Sequence, residues 1–102
     1  METNIIHLGD NIEGMQRLPN ESVDMCITSP PYYNQRDYKK QKQLGMEGNV
    51  SLFVENLCNV FDEVKRVLKK EGVCWVNIGD TYHNKVLLQV PSRFEIEMSK
   101  RG

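Results

Sequence analysis

Residues 51–80, SLFVENLCNVFDEVKRVLKKEGVCWVNIGD, carry a helical pattern followed directly by a strand pattern. From Ser51 to Lys70 apolar residues recur at steps of three and four, which predicts one long amphipathic helix. Ser51 is its predicted N-cap, and Gly72 is its predicted left-handed C-cap. The run Val73–Ile78 is apolar nearly throughout, as expected for a strand buried on both faces of a parallel sheet.

Two shorter apolar runs precede this segment. Ile5–Leu8 and Val23–Ile27 each end at chain breakers, so both are predicted to be buried strands. Between them the apolar residues have helical spacing, with Asp10 or Asn11 as the cap and Pro19 at the close.

The alternation of these elements predicts an α/β fold, with three strands of a parallel sheet and flanking helices. Trp75, inside the third strand, is expected in the core. A last short helix is predicted to begin near Pro91 or Ser92. With 102 residues, the chain (1–102) is expected to be one small domain or a piece of a larger one.

The charge balance limits the kind of partner. A formal net charge of -1 argues against a protein that coats nucleic acid, because nonspecific phosphate binding needs a large excess of cations. The one local candidate for DNA contact is the group Arg36, Lys39, Lys40 and Lys42, and a solvated polar loop is an equally good interpretation of those charges.

The three cysteines, Cys26, Cys58 and Cys74, are scattered through apolar runs. Such cysteines are typical of small buried side chains in a reducing compartment, and neither a disulfide framework nor a metal site is expected. No run approaches the length needed to span a membrane, and the first residues lack the pattern of a signal peptide, so a cytoplasmic protein is expected.

The loop Thr28–Tyr33, TSPPYY, directly follows the predicted second strand, at the edge where open α/β sheets bind their ligands. Pro30 and Pro31 fix two φ angles and remove two backbone donors, and Pro30 also keeps Ser29 extended. The result is a stiff loop that holds a hydroxyl, a carbonyl and aromatic rings together. The alternative is a simple strand breaker followed by packing tyrosines.

This loop resembles the catalytic motif of S-adenosylmethionine-dependent amino-methyltransferases that act on adenine N6 or cytosine N4 of DNA, and its form is most similar to the cytosine N4 group. Other segments match in the order found in the permuted class that begins with this motif. They are Leu8–Asn11, Leu18–Asn20, Ser22–Asp24, Leu44–Glu47, Arg66–Lys69, Trp75–Tyr82 and Val90–Phe94. The resemblance therefore implies a partial Rossmann-like methyltransferase sheet and double-stranded DNA, with a flipped target base, as substrate.

The resemblance makes Ser29, Pro30, Pro31 and Tyr32 the candidate catalytic residues. The lone pair of an exocyclic base amine is delocalised into the ring, so acceptors for its N–H groups favour the more tetrahedral nitrogen that methyl transfer requires. Ser29 Oγ and the Pro30 carbonyl are the candidate acceptors. Tyr32 is expected to stack on the extruded base. Tyr33 either shares this substrate contact or packs beneath the loop.

Further binding residues are also implied. Asp10 resembles the acidic residue that meets the adenine of S-adenosylmethionine, although it is also the predicted N-cap of the first helix. Asp80 and Tyr82, after the third strand, are candidates for lining the base pocket, with a structural turn as the alternative. Arg36, Lys39 and Lys40 are the candidate DNA contacts.

The Phe-x-Gly-x-Gly loop that holds the methionine end of the cofactor in this family occurs nowhere in the sequence. In the family sheet, two further strands separate the strand before Asp10 from the strand before Ser29. We therefore expect an incomplete catalytic part that pairs with a C-terminal half or self-associates. Three functions stay open: a methyltransferase part inactive alone, an inactive DNA-binding remnant, and part of an amino-methyltransferase for RNA or protein.

Overall fold

A long helix joins two parallel strands at the centre of this protein. The computed structural model describes residues 3–33, 44 and 48–102. Its elements, in chain order, are α1 (Asn11–Gln16), β1 (Val23–Thr28), α2 (Val50–Val67), β2 (Leu68–Val76), β3 (Tyr82–His83), β4 (Val86–Leu87) and α3 (Val90–Arg101). The mixed α/β class and the order of helices and strands from β1 to β2 confirm the prediction.

Helix α2 begins and ends at residues other than those predicted. Asn49 is the N-cap, and its side-chain oxygen accepts the Leu52 N–H at 2.7 Å, whereas Ser51 lies inside the first turn. Both residue types cap helices well, so the sequence alone did not separate them. The predicted C-cap is wrong as well: the helix ends at Val67, and Gly72 lies within β2.

The apolar stripe of α2 forms the core, as its spacing predicted. Its buried side chains are Phe53, Val54, Leu57, Cys58, Phe61, Val64 and Val67. Burial raises the pKa of the Cys58 thiol from 9.0 to about 11. This protonated thiol therefore behaves as a small apolar side chain, as the sequence suggested.

Strands β1 and β2 pair in parallel, with one irregularity in their register. Val23 lies opposite Leu68, whereas Met25 lies opposite Val73, so β2 carries extra residues at this point. Gly72 falls in the irregular stretch, where a Cβ atom would lie 2.9 Å from the Lys69 carbonyl oxygen. A glycine is therefore needed for close approach of the backbone rather than for ending the helix.

The two faces of this sheet differ. Cys26 and Cys74 lie opposite each other on the face that packs toward α2. On the other face Met25 and Ile27 are 52% and 70% exposed, and Val73 and Trp75 are 48% and 63% exposed. The prediction that Trp75 lies in the core is wrong, because no described residue covers this face. We call these four side chains the open sheet face.

The predicted strand Ile5–Leu8 is also wrong. The segment is in no strand, and Ile6 and Leu8 are almost fully exposed. A strand needs a partner for its backbone groups, and within residues 3–33, 44 and 48–102 none pairs with it. The parallel sheet of the described residues therefore has two strands, not three.

A short hairpin between β2 and α3 was not predicted. Tyr82 pairs with Leu87 and His83 pairs with Val86 in antiparallel fashion. Asn84 and Lys85 form the two-residue turn, with φ angles of 50° and 65°. Both angles are positive, as a primed hairpin turn requires, and asparagine tolerates this conformation well.

The two flanking helices, α1 and α3, both pack against α2. Of the two predicted caps of α1, the structure has Asp10, and α3 begins at Val90 with Pro91 in its first turn. The Phe61 and Phe94 rings meet edge to face with centroids 5.1 Å apart, which joins α2 to α3. No helix in the described part of the chain is long and apolar enough to cross a membrane.

Candidate active site

The loop after β1 leaves the sheet at its carboxyl edge. Asn77 N–H donates to the Thr28 carbonyl at 2.9 Å, so the β1 and β2 segments stay paired up to Thr28, the residue before Ser29. Ser29 is then exposed, Pro30 is buried, and Pro31 and Tyr32 are half-buried. The buried Pro30 therefore anchors a loop whose neighbouring Ser29 is accessible to solvent.

Tyr32 lies against the backbone of Gly79, in the loop that follows β2. A Cβ atom at position 79 would lie 2.5 Å from Cε2 and 2.9 Å from Cζ of the Tyr32 ring. Real Cβ atoms essentially never approach other atoms that closely, so any larger residue at position 79 would displace the ring. The loops that follow β1 and β2 are therefore in contact at the carboxyl edge of the strand pair, where ligands bind in open α/β sheets.

A hydrogen bond joins the same two loops further along. The buried Thr81 hydroxyl donates to the Tyr33 carbonyl at 2.9 Å. The Thr81 backbone is itself fixed, because its N–H donates to Asp80 Oδ1 at 2.8 Å and its carbonyl accepts from Leu88 at 2.9 Å. The end of the Ser29–Tyr33 loop is thus attached to a well-bonded turn.

The structure gives Tyr33 the packing position that the sequence left open. Its ring lies 5.3 Å from that of Phe53, centroid to centroid, with the planes tilted by 40°. Phe53 is fully buried in the first turn of α2. Tyr33 therefore fastens the loop to the core, and its substrate contact stays a prediction.

Asp80 has a structural role in the described residues. Besides the Thr81 N–H, its Oδ1 accepts the Val90 N–H at 3.0 Å, at the start of α3. Gln89, the residue before this helix, makes no side-chain cap, so Asp80 supplies one from ten residues upstream. The neighbouring Tyr82 is 69% exposed at the start of β3. Lining of a base pocket by Asp80 and Tyr82 stays a prediction.

Asp10 lines a groove to which the Ser29–Tyr33 loop does not contribute. Its Oδ2 accepts the Glu13 N–H at 3.0 Å, which is the N-cap bond of α1. The same residue lines an open groove of about 390 Å³ between α1 and α2, whose walls include Asn56 and Asn59. None of residues 29–33 lines this groove. An exposed carboxylate keeps acceptor capacity for a second donor, such as the amino group of an adenine.

The predicted DNA contacts Arg36, Lys39 and Lys40 lie outside the described residues, as do the last three residues, 45–47, of the predicted motif Leu44–Glu47. Where the structure describes the chain, no group of three or more His, Cys, Asp or Glu side chains could hold a metal ion.

Two residues that contact the loop, Gly79 and Thr81, were not singled out as site residues from the sequence. Their signal was present, because both follow a parallel strand at its carboxyl end, next to Asp80. Their role depends on contacts with residues almost fifty positions away, which no local pattern reveals.

A helix joins the two parallel strands, and the loop with Ser29, Pro30, Pro31 and Tyr32 leaves their carboxyl edge, where open α/β sheets bind their ligands. The family model described as DNA methylase, for N6 and N4 amino-methylation, matches residues 23–100. This chain belongs to that DNA methylase family, whose members use S-adenosylmethionine as methyl donor.

Curated relatives support the same family. The chain is 46% identical over 80 residues to Type II methyltransferase M.SfiI of Streptomyces fimbriatus, which covers 78% of this chain and 19% of the relative. It is 38% identical over 101 residues to Type II methyltransferase M.MwoI of Methanothermobacter wolfeii, covering 95% of this chain and 15% of the relative. DNA adenine methyltransferase YhdJ of Escherichia coli is 35% identical over 72 residues, covering 71% of this chain and 23% of the relative.

The chain thus spans only about a fifth of the length of such relatives. No solved structure matches it.

Proposed function

We propose that this chain supplies the base-binding catalytic loop of a DNA amino-methyltransferase that acts on an exocyclic base amine. We assign cytosine N4 as the target amine, with adenine N6 as the alternative. The main support is the position of two side chains at the carboxyl ends of β1 and β2, where the two following loops are in contact. Ser29 is exposed there and Tyr32 is half-buried. The membership of residues 23–100 in the DNA methylase family supports this assignment. We further propose that β1, α2 and β2 are part of a larger Rossmann-like sheet.

In this proposal the loop acts on the amine of an extruded base. Ser29 Oγ accepts one N–H of the amine, and the Pro30 carbonyl accepts the other. No hydrogen bond from another described residue occupies either oxygen. A serine hydroxyl and a carbonyl are weak bases at neutral pH, so they orient the amine and stabilise charge while its proton leaves to water.

Tyr32 would hold the extruded base. Removing a base from the duplex costs a few kcal/mol, and stacking on an aromatic ring recovers about 1–3 kcal/mol. The ring lies against Gly79 on one side and is half-exposed overall, so part of it is accessible to a base.

S-adenosylmethionine would supply the methyl group, carried on a sulfonium sulfur. The described residues fit only one end of it: Asp10 could accept from the adenine amino group at the groove between α1 and α2. The sequence has no glycine-rich loop of the family type for the methionine end. We therefore propose that the cofactor is held mainly by the rest of a complete methyltransferase.

The open sheet face supports the need for further polypeptide. Parallel sheets in α/β proteins are covered on both faces, whereas Met25, Ile27, Val73 and Trp75 stand exposed together. A C-terminal half of the enzyme, or a second copy of this chain, would cover them.

A chimaera tests this function. The part of M.SfiI that matches this chain is replaced by the corresponding residues of this chain, and we call the product the SfiI chimaera. It is incubated with DNA and S-adenosylmethionine, and the digested DNA is analysed by mass spectrometry. We expect N4-methylcytosine. N6-methyladenine would instead assign the loop to adenine, the base that the name of the relative YhdJ gives. Unmodified DNA, with native M.SfiI active, would contradict the proposal.

A further inference from the structure

The turn that follows β2 contacts the Ser29–Tyr33 loop at two separate points. Gly79 contacts the Tyr32 ring, and the Thr81 hydroxyl donates to the Tyr33 carbonyl. Neither contact is needed to form the strand pair, because the pairing of β1 with β2 is complete at Asn77. The contacts therefore act on the loop rather than on the sheet.

We propose that Gly79 and Thr81 are positioning residues for methyl transfer: Gly79 sets the place of the Tyr32 ring, and Thr81 sets the path of the loop backbone beyond it. This inference rests on the proposed function of the loop. It assigns a task to two residues that carry no reactive group toward the base.

The case for Gly79 rests on space. A Cβ atom there would come within 2.5 Å, 2.9 Å and 3.1 Å of Cε2, Cζ and Cδ2 on one side of the Tyr32 ring. The obstructing atoms belong to a side chain, so the ring can turn away while the backbone keeps its fold. An alanine at position 79 should therefore move Tyr32 without unfolding the protein.

The case for Thr81 rests on its anchorage. The residue is only 5% exposed, and its backbone is bonded at both ends to Asp80 and Leu88. Asp80 also accepts from Val90 at the start of α3, which packs on α2. A hydroxyl held this firmly fixes the Tyr33 carbonyl relative to the core. That places Tyr32 and the Pro30 carbonyl at a defined distance from the end of β2.

The first test uses the chain itself and does not depend on activity. The chain is labelled with 3-fluorotyrosine, and the Tyr32 fluorine resonance is assigned by its loss in Tyr32→Phe. Gly79→Ala should shift this resonance while circular dichroism stays unchanged. Gly14→Ala is the matched control, because a Cβ atom at that position on α1 meets nothing within 4 Å. An unmoved Tyr32 resonance in Gly79→Ala overturns the role of Gly79.

The second test uses the SfiI chimaera. Thr81→Val removes the hydroxyl at nearly constant shape and should lower kcat roughly tenfold, the loss expected when one hydrogen bond no longer orients a reacting group. Thr81→Ser should restore most of kcat, and KM for S-adenosylmethionine should change in neither variant. Equal kcat values for the valine and serine variants overturn the role of Thr81.

The fluorine spectra and the kinetics of the chimaera distinguish a failure of the proposed function from a failure of the positioning roles. If the unsubstituted chimaera does not methylate DNA, the proposed function fails, while the fluorine spectra still decide whether Gly79 seats Tyr32. For Thr81 the same spectra serve, since Thr81→Val should shift the Tyr33 resonance and Thr81→Ser should not. A Tyr33 resonance that is the same in both variants contradicts the positioning role.

Discussion

The Arg66 guanidinium near the end of α2 donates to the Met15 carbonyl at the end of α1, with an Nη2–O distance of 2.7 Å. Its Nη1 also donates to the Leu18 carbonyl at 3.0 Å and to Asn20 Oδ1 at 2.6 Å, and its Nε bonds Glu63 at 2.9 Å. One side chain thus holds the carboxyl end of α1, the helix whose first turn carries Asp10.

Arg66→Lys should destabilise the chain by about 1–2 kcal/mol, because a lysine ammonium cannot match the planar fork that reaches several acceptors at once. Urea unfolding followed by circular dichroism measures the change. Arg17→Lys, at an exposed position that ends α1, is the matched control and should be nearly neutral. Equal effects of the two substitutions would show that the contacts of Arg66 add no stability.

Tyr32→Ala in the SfiI chimaera should weaken binding to a normal duplex by roughly 5- to 150-fold, the equivalent of the lost stacking energy. The loss should be smaller on a duplex whose target base is mismatched, because part of the extrusion cost is already absent. Fluorescence anisotropy with both duplexes measures the difference. Equal losses on both would refute the stacking role of Tyr32.

The open sheet face should cause this chain to self-associate when it is purified alone. The double substitution Val73→Thr and Trp75→Thr keeps side chains that suit strands but removes apolar surface, so it should lower the average mass measured by analytical ultracentrifugation. Val86→Thr is the control, since Val86 is 62% exposed on β4 and lies outside this face. Self-association that persists unchanged in the double variant would place the contact elsewhere.

The sequence predicted the elements whose pattern is local and whose partners lie within the chain. The stripe of α2 and the position of Ser29 after β1 belong to this group, because spacing and chain breakers act over a few residues. Ile5–Leu8 has an equally clear apolar pattern but forms no strand, since a strand also needs an edge to pair with. Trp75 is exposed for the same reason, because burial depends on what covers the face.

The residues of the candidate site could be named from the sequence, whereas the contacts that hold them in place could not. Ser29 and Tyr32 follow from the motif. The contact of Gly79 with Tyr32 and the hydrogen bond from Thr81 to Tyr33 depend on how close two loops lie in space. For Asp80 the sequence left two interpretations open, a base-pocket residue or part of a structural turn. Its carboxylate accepts the Val90 N–H at the start of α3, and its lining of a base pocket stays a prediction.

Purified alone, this chain should show no measurable binding of S-adenosylmethionine. The one proposed contact, at Asp10, contributes on the order of 1 kcal/mol, against the roughly 7 kcal/mol that a dissociation constant near ten micromolar requires. Titration calorimetry measures this directly. Saturable binding at micromolar cofactor would show that this chain contains a cofactor site that the groove beside Asp10 does not explain.

The most direct test of the central claim is the single-turnover rate of methyl transfer by the SfiI chimaera with and without Ser29→Ala, at saturating cofactor and DNA. The proposed role predicts a rate lower by about 10- to 100-fold, with unchanged cofactor affinity, because the lost contact acts only as the amine reacts. Ser99→Ala, at an exposed position on α3, should leave the rate unchanged. An unaltered rate in Ser29→Ala, or a loss matched by weaker cofactor binding, would contradict the assignment of this loop as the site of methyl transfer.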